Sequence, residues 1–363
     1  MTASTSSTRN PMRAIRKTHA GPGLELVDIP EPSPGPGEVK IRVLRAGLCG
    51  TDLHLQQWDD WAASQVQVPQ TIGHEFYGEV VELGPDVAQG PGNDGVNIGD
   101  RVSVEGHVVC NRCRNCRAGR RHMCIRSLGI GVNRDGAFAD YVVVPATNVW
   151  RQPAAIDAEL GALFDPLGNA VHTAFQRDLA GEDVLITGAG PIGVMAAAIA
   201  RHAGARNVVI TDISPLRLAL ASGVGATRAV NVATEDLGDV MRELGVREGF
   251  DVGLEMSGMP AALNQMIDAC RHGATISLLG LPREDFAINW GKVITHMLTI
   301  KGIYGREMYD TWYRATFMME TSERLREAVR SVITHRFPPE QFEEAFAAAR
   351  SGQCGKVIID FTR

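Results

Sequence analysis

A short stretch, Cys49-Gly50-Thr51-Asp52-Leu53-His54, carries three side chains that suit metal-assisted proton transfer. A cysteine thiolate is a good ligand for Zn²⁺, and a hydroxyl group bound to zinc loses its proton near neutral pH. The hydroxyl of Thr51 and the imidazole of His54 are groups that can carry such a proton away. We therefore predict that this stretch belongs to a zinc-dependent active site, although each of these residue types also occurs in ordinary turns.

Four of the seven cysteines lie close together, at Cys110, Cys113, Cys116 and Cys124. Four thiolates at this spacing can surround one tetrahedral Zn²⁺, and a full set of cysteines leaves no coordination position open to a substrate. The pattern therefore predicts a structural zinc. An iron–sulfur cluster is the alternative, because the first three cysteines also have cluster-like spacing. The absence of a proline directly after a cysteine favours zinc.

Composition limits the classes of function that need to be considered. A chain of 363 residues is too long for one typical core, so we expect two domains. A net charge of −6 without a Lys/Arg-rich run gives no reason to expect a nucleic-acid partner, and no apolar stretch is long enough to cross a bilayer. Without a secretory signal, the clustered cysteines indicate metal in a reducing compartment, which predicts a cytoplasmic protein.

Residues 1–11 are rich in Ser and Thr and predict a disordered N-terminal tail. A short organellar transit peptide is the alternative, because no acidic residue precedes Glu25. Residues 12–159 predict a β-rich catalytic domain, in which short alternating apolar runs are separated by Pro and Gly clusters. The glycines indicate the tight bends of a small barrel. The cysteine lobe occupies residues 107–125 of this domain.

From residue 160 onward the pattern changes to alternating strands and helices. An apolar strand over 183–187 leads into Gly188-Ala189-Gly190-Pro191-Ile192-Gly193, a helix follows, and a second strand ends at Asp212. In this context the glycines form a dinucleotide-binding fingerprint. Gly188 allows a tight turn, Gly190 lets the backbone approach a pyrophosphate, and Gly193 allows close packing of helix and strand.

The acidic residue after the second strand indicates which dinucleotide binds. Asp212 would accept hydrogen bonds from the adenosine ribose hydroxyls, and its charge would repel a 2′-phosphate, which favours NAD over NADP. Arg217 is placed beside the adenine ring. The expected positions of the nicotinamide ring are the carboxyl ends of two later strands, at Leu279, Gly280, Leu281, Ile303 and Tyr304.

Six strands are expected in residues 160–303, as a doubly wound parallel sheet requires. They are predicted over 183–187, 207–211, 229–232, 251–255, 275–279 and 298–303. Residues 304–363 contain helices and a closing strand over 356–359, and we expect them to return to the first domain. A strand at the end of the sheet tends to pair with another edge, which predicts a homo-oligomer.

Taken together, these motifs resemble those of the zinc-dependent medium-chain dehydrogenases from Met12 to the C-terminus. The more specific stretches, Gly106-His107, 131–134, 164–172 and 302–308, are most similar to the branch of that family that oxidises L-threonine. The resemblance implies an α/β fold with a GroES-like β-barrel and a six-stranded Rossmann domain. It also implies NAD, one catalytic and one structural zinc per subunit, and a tetramer.

The resemblance implies a catalytic zinc bound by Cys49, His74 and Glu75, with one position open to substrate. Asp165 is either a fourth ligand that exchanges with water or a nearby base. Thr51 would accept the proton of the secondary hydroxyl and pass it through the nicotinamide ribose to His54, while NAD⁺ accepts the hydride. L-Threonine would then become 2-amino-3-oxobutyrate.

Recognition of the amino acid is less evident from the sequence. His107 is the first candidate for substrate discrimination, and Arg134, Arg306 and Glu307 are further candidates by type. His172 is interpreted as a packed core histidine. A polyol or other secondary-alcohol dehydrogenase would share every metal and cofactor residue. A non-catalytic NAD- or zinc-binding protein is the more distant alternative, and a lost metal ligand would support it.

Overall fold

The computed structural model describes residues 10–363, so the predicted N-terminal tail lies outside the described residues except for its last two positions. The strands are β1 (Pro11–Lys17), β2 (Glu25–Pro30), β3 (Glu38–Gly47), β4 (Gln70–Thr71), β5 (Glu75–Leu83), β6 (Arg101–Val104), β7 (His107–Val108), β8 (Leu128–Gly129), β9 (Tyr141–Pro145), β10 (Val149–Arg151), β11 (Asp183–Thr187), β12 (Asn207–Asp212), β13 (Arg228–Asn231), β14 (Phe250–Glu255), β15 (Cys270–Leu278), β16 (Thr299–Gly302), β17 (Ile333–Phe337) and β18 (Lys356–Asp360).

The helices are α1 (Gly50–Gln57), α2 (Asp60–Gln65), α3 (Arg114–Arg117), α4 (Ala158–Gly161), α5 (Phe164–Ala174), α6 (Pro191–His202), α7 (Pro215–Gly223), α8 (Leu237–Leu244), α9 (Pro260–Ala269), α10 (Trp290–Thr295), α11 (Asp310–Thr321), α12 (Glu323–Ser331) and α13 (Phe342–Arg350). Short 3₁₀ turns cover Arg121–Met123, Ala146–Asn148 and Pro339–Gln341. None of the helices within residues 10–363 combines the length and the apolar character that crossing a bilayer requires.

The first sheet is organised around β3, whose residues alternate between buried and more exposed positions. One side of β3 pairs antiparallel with β5, and the other pairs with β9 at its beginning and with β18 at its end. The strand order is β10-β6-β5-β3-β18-β17, with β9 also on β3. The last strand of the chain therefore lies beside one of the first.

The second sheet has six parallel strands in the order β13-β12-β11-β14-β15-β16. The chain starts at the centre with β11, moves outward to β13, and returns to build the other half, as in a doubly wound fold. The strand β11 is buried at all five positions, because helices cover both faces of a parallel sheet. The predicted α/β class, with a β-barrel domain and a six-stranded parallel sheet, is confirmed.

Helix α5 connects the two sheets and carries ten buried residues out of eleven. It packs against α6 of the second sheet and against α11, and Phe164 stacks on Trp312 at a ring distance of 5.8 Å. Leu167, Val171 and Val194 belong to one continuous buried cluster. Side chains that project from α5 are consequently fixed relative to both sheets.

Candidate functional site

The residues predicted to bind the catalytic zinc are brought together by the pairing of β3 with β5. Gly47 lies opposite Glu75 in this pair, so Cys49, two residues beyond Gly47, lies beside His74 and Glu75. The potential ligand atoms of Cys49, His74 and Glu75 are all within 4.8 Å of one another. Gly47 is needed here, because a Cβ at this position would lie 2.5 Å from the Glu75 carboxylate. The β-sheet register thus assembles the predicted ligands.

The electrostatics of this group of ligands suit a doubly charged cation. Burial alone would lower the pKa of His74, but the negative charges of Cys49 and Asp52 raise it to about 10. A thiolate, an imidazole and a carboxylate are also the ligand types of a zinc site with an open position. The residues therefore fit Zn²⁺, which would take the place of the proton.

Asp52, which the sequence analysis did not single out, supports this group from α1. Its Oδ2 accepts a hydrogen bond of 2.9 Å from the Cys49 backbone N–H, and its Oδ1 lies 3.9 Å from His74 Nδ1. The side chain is completely buried, and burial raises its pKa to about 6. A carboxylate beside a ligand histidine commonly fixes the ring orientation. In the sequence, Asp52 could have been recognised by its place three residues after Cys49, where an acidic side chain can cap the start of a helix.

A buried network of charges lies on the Asp165 side of the site. Arg306 donates to Asp165 Oδ1 at 2.7 Å and to both oxygens of Glu105, at 2.5 and 3.0 Å. Burial would raise the pKa of Glu105, but the charge of Arg306 and a hydrogen bond from His107 hold it well below its usual range. Burial raises the pKa of Asp165, and its Oδ2 has no hydrogen-bond partner among residues 10–363. This oxygen is available to a metal or to a proton.

His107 lies at the edge of this network. Its Nδ1 is 3.0 Å from Glu105 Oε1 and 3.2 Å from Arg306 Nη2. Because the carboxylate oxygen is the nearer atom and can only accept, we assign the proton to Nδ1, which leaves Nε2 as the atom offered to a ligand. The ring of Tyr304 lies 5.7 Å from the His107 ring. Arg306, by contrast, is already neutralised by two carboxylates and almost completely buried. Arg134 pairs with Glu38 at 2.8 Å.

Glu75 is held from the opposite side by Lys356, the first residue of β18. Both side chains are buried, so each provides the counter-charge of the other inside the protein. A buried lysine is uncommon and requires such a partner. Nothing in the local sequence connects residue 356 with residue 75, so the role of Lys356 could not be predicted from the sequence.

Thr51 and His54 lie on the same face of α1, three residues apart. The thiol of Cys49 lies 3.8 Å from the Thr51 hydroxyl, whereas more than half of the His54 side chain is exposed. Nδ1 of His54 is paired with Asp59, whose pKa is lowered by the backbone N–H of Ala62 and by His54. Thr51 and His54 thus extend from the predicted metal ligands toward solvent.

The four cysteines of the lobe also meet. Cys110, Cys113, Cys116 and Cys124 have all their Sγ atoms within 4.8 Å of one another, and two of the Sγ pairs are 3.5 Å apart. Thiolates around one tetrahedral zinc are separated by about 3.8 Å. Backbone N–H groups of Cys110, Cys113 and Arg126 point to the sulfurs at 3.4 Å. The arrangement fits a structural Zn²⁺.

The dinucleotide fingerprint is placed between β11 and α6. Gly188 has a φ of +92°, and Gly190 precedes α6 as its N-cap. A Cβ on Gly193 would lie 1.9 Å from the carbonyl oxygen of Gly188, whereas a Cβ on Gly190 would meet no described atom within 4 Å. Free space at Gly190 is what a pyrophosphate at the start of a helix requires. The second residue of α6, Ile192, is half-buried.

Asp212 ends β12 beside this turn. Its carboxylate accepts from the backbone N–H of Ala189 at 2.7 Å and from those of Ile213 and Ser214 at 2.7 and 2.9 Å. These bonds orient the carboxylate at the carboxyl edge of the sheet, where an adenosine ribose binds. Arg217 follows in the first turn of α7, and its Nε is buried without a partner in the described part of the chain. Both residues fit NAD.

The residues predicted around the nicotinamide follow β15 and β16 at the same edge of the sheet. The N–H groups of Leu279 and Gly280 donate to the carbonyl of Glu255 at 2.9 and 3.1 Å. Leu281 and Tyr304 are exposed, while Ile303 is buried. Of the two exposed side chains, Tyr304 lies beside the His107 ring.

Comparisons with known proteins agree with this arrangement. Residues 35–154 match the family model of the alcohol dehydrogenase GroES-like domain, and residues 191–321 match that of the zinc-binding dehydrogenase. An L-threonine 3-dehydrogenase from Streptomyces coelicolor is 56% identical over 97% of this chain and 100% of its own length.

Two solved structures have a similar fold. An alcohol dehydrogenase from E. coli complexed with NADH has a TM-score of 0.85 and 26% identity, covering 97% of this chain and 99% of its own. A zinc-binding dehydrogenase from Sinorhizobium meliloti bound to NADP has a TM-score of 0.86 and 28% identity, covering 97% of this chain and all of its own.

Proposed function

The chain belongs to the zinc-dependent medium-chain dehydrogenase family, and from this we propose that it oxidises the secondary hydroxyl of L-threonine to 2-amino-3-oxobutyrate with NAD⁺. The observation that carries the chemistry is the convergence of Cys49, His74 and Glu75 within 4.8 Å. The substrate is inferred from relatives that share more than half of their residues with this chain over nearly its full length.

The residues have separate roles in this reaction. Cys49, His74 and Glu75 would hold Zn²⁺, which would supply Lewis-acid polarisation of a hydroxyl. Thr51, next to Cys49, would accept the substrate proton as it gives up its own hydroxyl proton. His54, kept in place by Asp59, would release the relayed proton to solvent.

NAD⁺ would bind along residues 188–193, 212 and 279–281, and would supply a hydride acceptor. Asp165 is held through one oxygen by Arg306, and its other oxygen is buried without a partner in the described part of the chain. It does not belong to the group of Cys49, His74 and Glu75, and its proposed role is that of an exchangeable ligand or of a nearby base. Since one solved neighbour holds NADH and another NADP, the choice of NAD rests on the Asp212 carboxylate.

His107 is our candidate for recognising the amino-acid part of the substrate. Its Nδ1 is fixed by Glu105, so Nε2 is presented in a defined direction. Arg306 lies behind His107 and is not free to bind a carboxylate, because Glu105 and Asp165 already neutralise it. A polyol dehydrogenase of the same fold is the second candidate function, since it would use the same metal and cofactor residues.

The test is the formation of NADH with L-threonine, L-serine, sorbitol and 2,3-butanediol, repeated after chelation and after re-addition of zinc. We expect a preference for L-threonine that chelation removes and zinc restores. Turnover of a polyol with none of L-threonine would keep the mechanism and overturn the substrate. In that case His107→Asn is the first variant to compare.

We also propose that the protein is a homotetramer. The strand β16 is the last strand of its sheet, and an unpaired edge favours pairing with a second copy. Thiolate ligands persist in a reducing compartment, which supports a cytoplasmic location. Sedimentation equilibrium of the purified protein tests the tetramer; a monomer at micromolar concentration would contradict it.

A further inference from the structure

Three more potential metal ligands, His122, His172 and Glu307, meet outside the sites described above. Their ligand atoms all lie within 4.8 Å of one another. His122 comes from the 3₁₀ turn of the cysteine lobe, His172 from α5, and Glu307 from the segment between β16 and α11. Because the three residues come from separate parts of the chain, only the tertiary structure brings them together.

His172 is oriented as a ligand histidine would be. Its Nδ1 lies 2.9 Å from the carbonyl oxygen of Gly305, which can only accept, so Nδ1 carries the proton and Nε2 has a free lone pair. Nε2 lies 3.6 Å from Oε1 of Glu307. Nitrogen and oxygen ligands of a tetrahedral zinc are separated by about 3.3 Å, so these two atoms are already near the required spacing.

His122 completes the group. Its ring centre lies 5.6 Å from that of His172, with the two rings nearly perpendicular. Nδ1 of His122 is buried and has no hydrogen-bond partner within residues 10–363. A buried polar atom without a partner is uncommon in a folded protein and calls for an unseen partner such as an ion or a water. The Glu307 side chain is 42% exposed and provides a route of entry from solvent.

We propose that His122, His172 and Glu307 form a third metal site, which binds a divalent transition-metal ion such as Zn²⁺. Two imidazoles and one carboxylate are a ligand set that Zn²⁺ and Co²⁺ accept, with water in the remaining position. Unlike the two sites inferred above, it contains no thiolate, so its metal exchanges more readily.

A metal ion in this site would join parts of the chain that are far apart in sequence. The carbonyl of Gly305 is bound to His172, and a Cβ on Gly305 would lie 3.6 Å from the His107 ring. A metal ion there connects the cysteine lobe to α5 and to residues 304–307. The expected result is a higher thermal midpoint when the site is filled, because a ligand that binds only the folded state stabilises it.

The full-length protein, with both thiolate-containing sites filled by zinc, is titrated with Co²⁺. We expect one additional equivalent to bind, with weak visible d–d absorption and no intense thiolate-to-cobalt charge-transfer band. His122→Ala and Glu307→Gln should each weaken this binding at least tenfold. Because Glu307→Gln conserves the shape of the side chain and lies outside the cysteine lobe, weaker binding in this variant cannot be explained by misfolding of the lobe. His202→Asn, an exposed histidine at the end of α6, is the matched control and should change nothing.

Three results would overturn the proposal. The first is that no additional equivalent of Co²⁺ binds. The second is an intense thiolate-to-cobalt charge-transfer band, which would show that Co²⁺ has replaced zinc in a cysteine site. The third is Co²⁺ affinity that neither His122→Ala nor Glu307→Gln changes. Displacement of the bound Co²⁺ by one equivalent of Zn²⁺ would support it. No turnover is measured, so failure here is distinct from failure of the proposed dehydrogenase activity.

Discussion

Arg306 donates a hydrogen bond of 2.7 Å to Asp165, and both side chains are almost completely buried. The bond joins the segment after β16 to α5 and leaves only Oδ2 of Asp165 free for chemistry. Arg306 fits against the helix because residue 168 is glycine, where a Cβ would lie 2.6 Å from the arginine side chain. The charge of one residue thus positions the reactive group of another.

Replacing Arg306 by Met should lower the free energy of unfolding by about 3–5 kcal/mol, because Glu105 and Asp165 would lose their shared counter-charge inside the protein. Arg306→Lys should recover part of this loss, and Arg314→Met, at a partly exposed ion pair, serves as the control. Denaturant unfolding measures all three. A loss below about 1 kcal/mol for Arg306→Met would contradict the proposed dependence on charge.

Cys49→Ser should abolish turnover and remove one zinc equivalent, while NADH binding changes little. The reason is that Cys49 contributes to the catalytic ligands alone. Cys113→Ser should instead lower the thermal midpoint, because structural zinc stabilises the folded lobe. Activity assays, metal analysis and thermal unfolding separate the two cases. Full activity of Cys49→Ser is the result that would exclude this ligand assignment.

Gly190→Ala should weaken NADH binding at least tenfold without disturbing the fold. Its φ of −66° suits alanine, and the added methyl group occupies only the space expected for the pyrophosphate. Gly193→Ala is the contrasting variant and should also lower the thermal midpoint, because its methyl group would collide with the Gly188 carbonyl. Fluorescence titration with NADH and thermal unfolding are the measurements. Unchanged NADH affinity in Gly190→Ala would place the cofactor elsewhere.

Asp212→Asn should reduce the preference for NAD over NADP by about tenfold or more, since the variant no longer repels a 2′-phosphate. The ratio of kcat/KM with the two cofactors measures the change. Asp239→Asn, an exposed acid on α8, is the control and should keep the wild-type ratio. If Asp212→Asn also keeps the wild-type ratio of kcat/KM, another residue determines the preference for NAD over NADP.

The Glu105 carboxylate should stabilise the folded protein above about pH 4, which is where a glutamate side chain titrates in an unfolded chain. Its pKa in the folded protein is well below that range, so the stabilisation is present above the unfolded value and is lost as the pH falls below it. Between pH 5 and 3, Glu105→Gln should therefore show a shallower loss of stability than the parent protein, by up to about 1.4 kcal/mol per pH unit. The free energy of unfolding of both proteins is measured with denaturant at each pH. Equal slopes of this free energy against pH in the variant and the parent protein would refute the prediction.

The ligand groups that lie close together in the chain could be predicted from the sequence. The four cysteines span fifteen positions, and the glycines of the fingerprint lie between a strand and a helix, so local spacing alone indicates a metal and a dinucleotide. Strand and helix periodicity likewise predicted the six parallel strands, because burial on both faces produces continuous apolar runs. The predicted domain boundaries and site roles remain predictions.

Only the tertiary structure decided which charges face each other. Lys356 lies against Glu75, and Arg306 lies between Glu105 and Asp165, over separations of 141 to 281 residues. No periodic pattern marks such pairs, because each depends on how β18 and the segment after β16 return to the first sheet. The same return places Glu307 beside His122 and His172. Burial makes these long-range pairs obligatory, since an unpaired charge in the interior is too costly to keep.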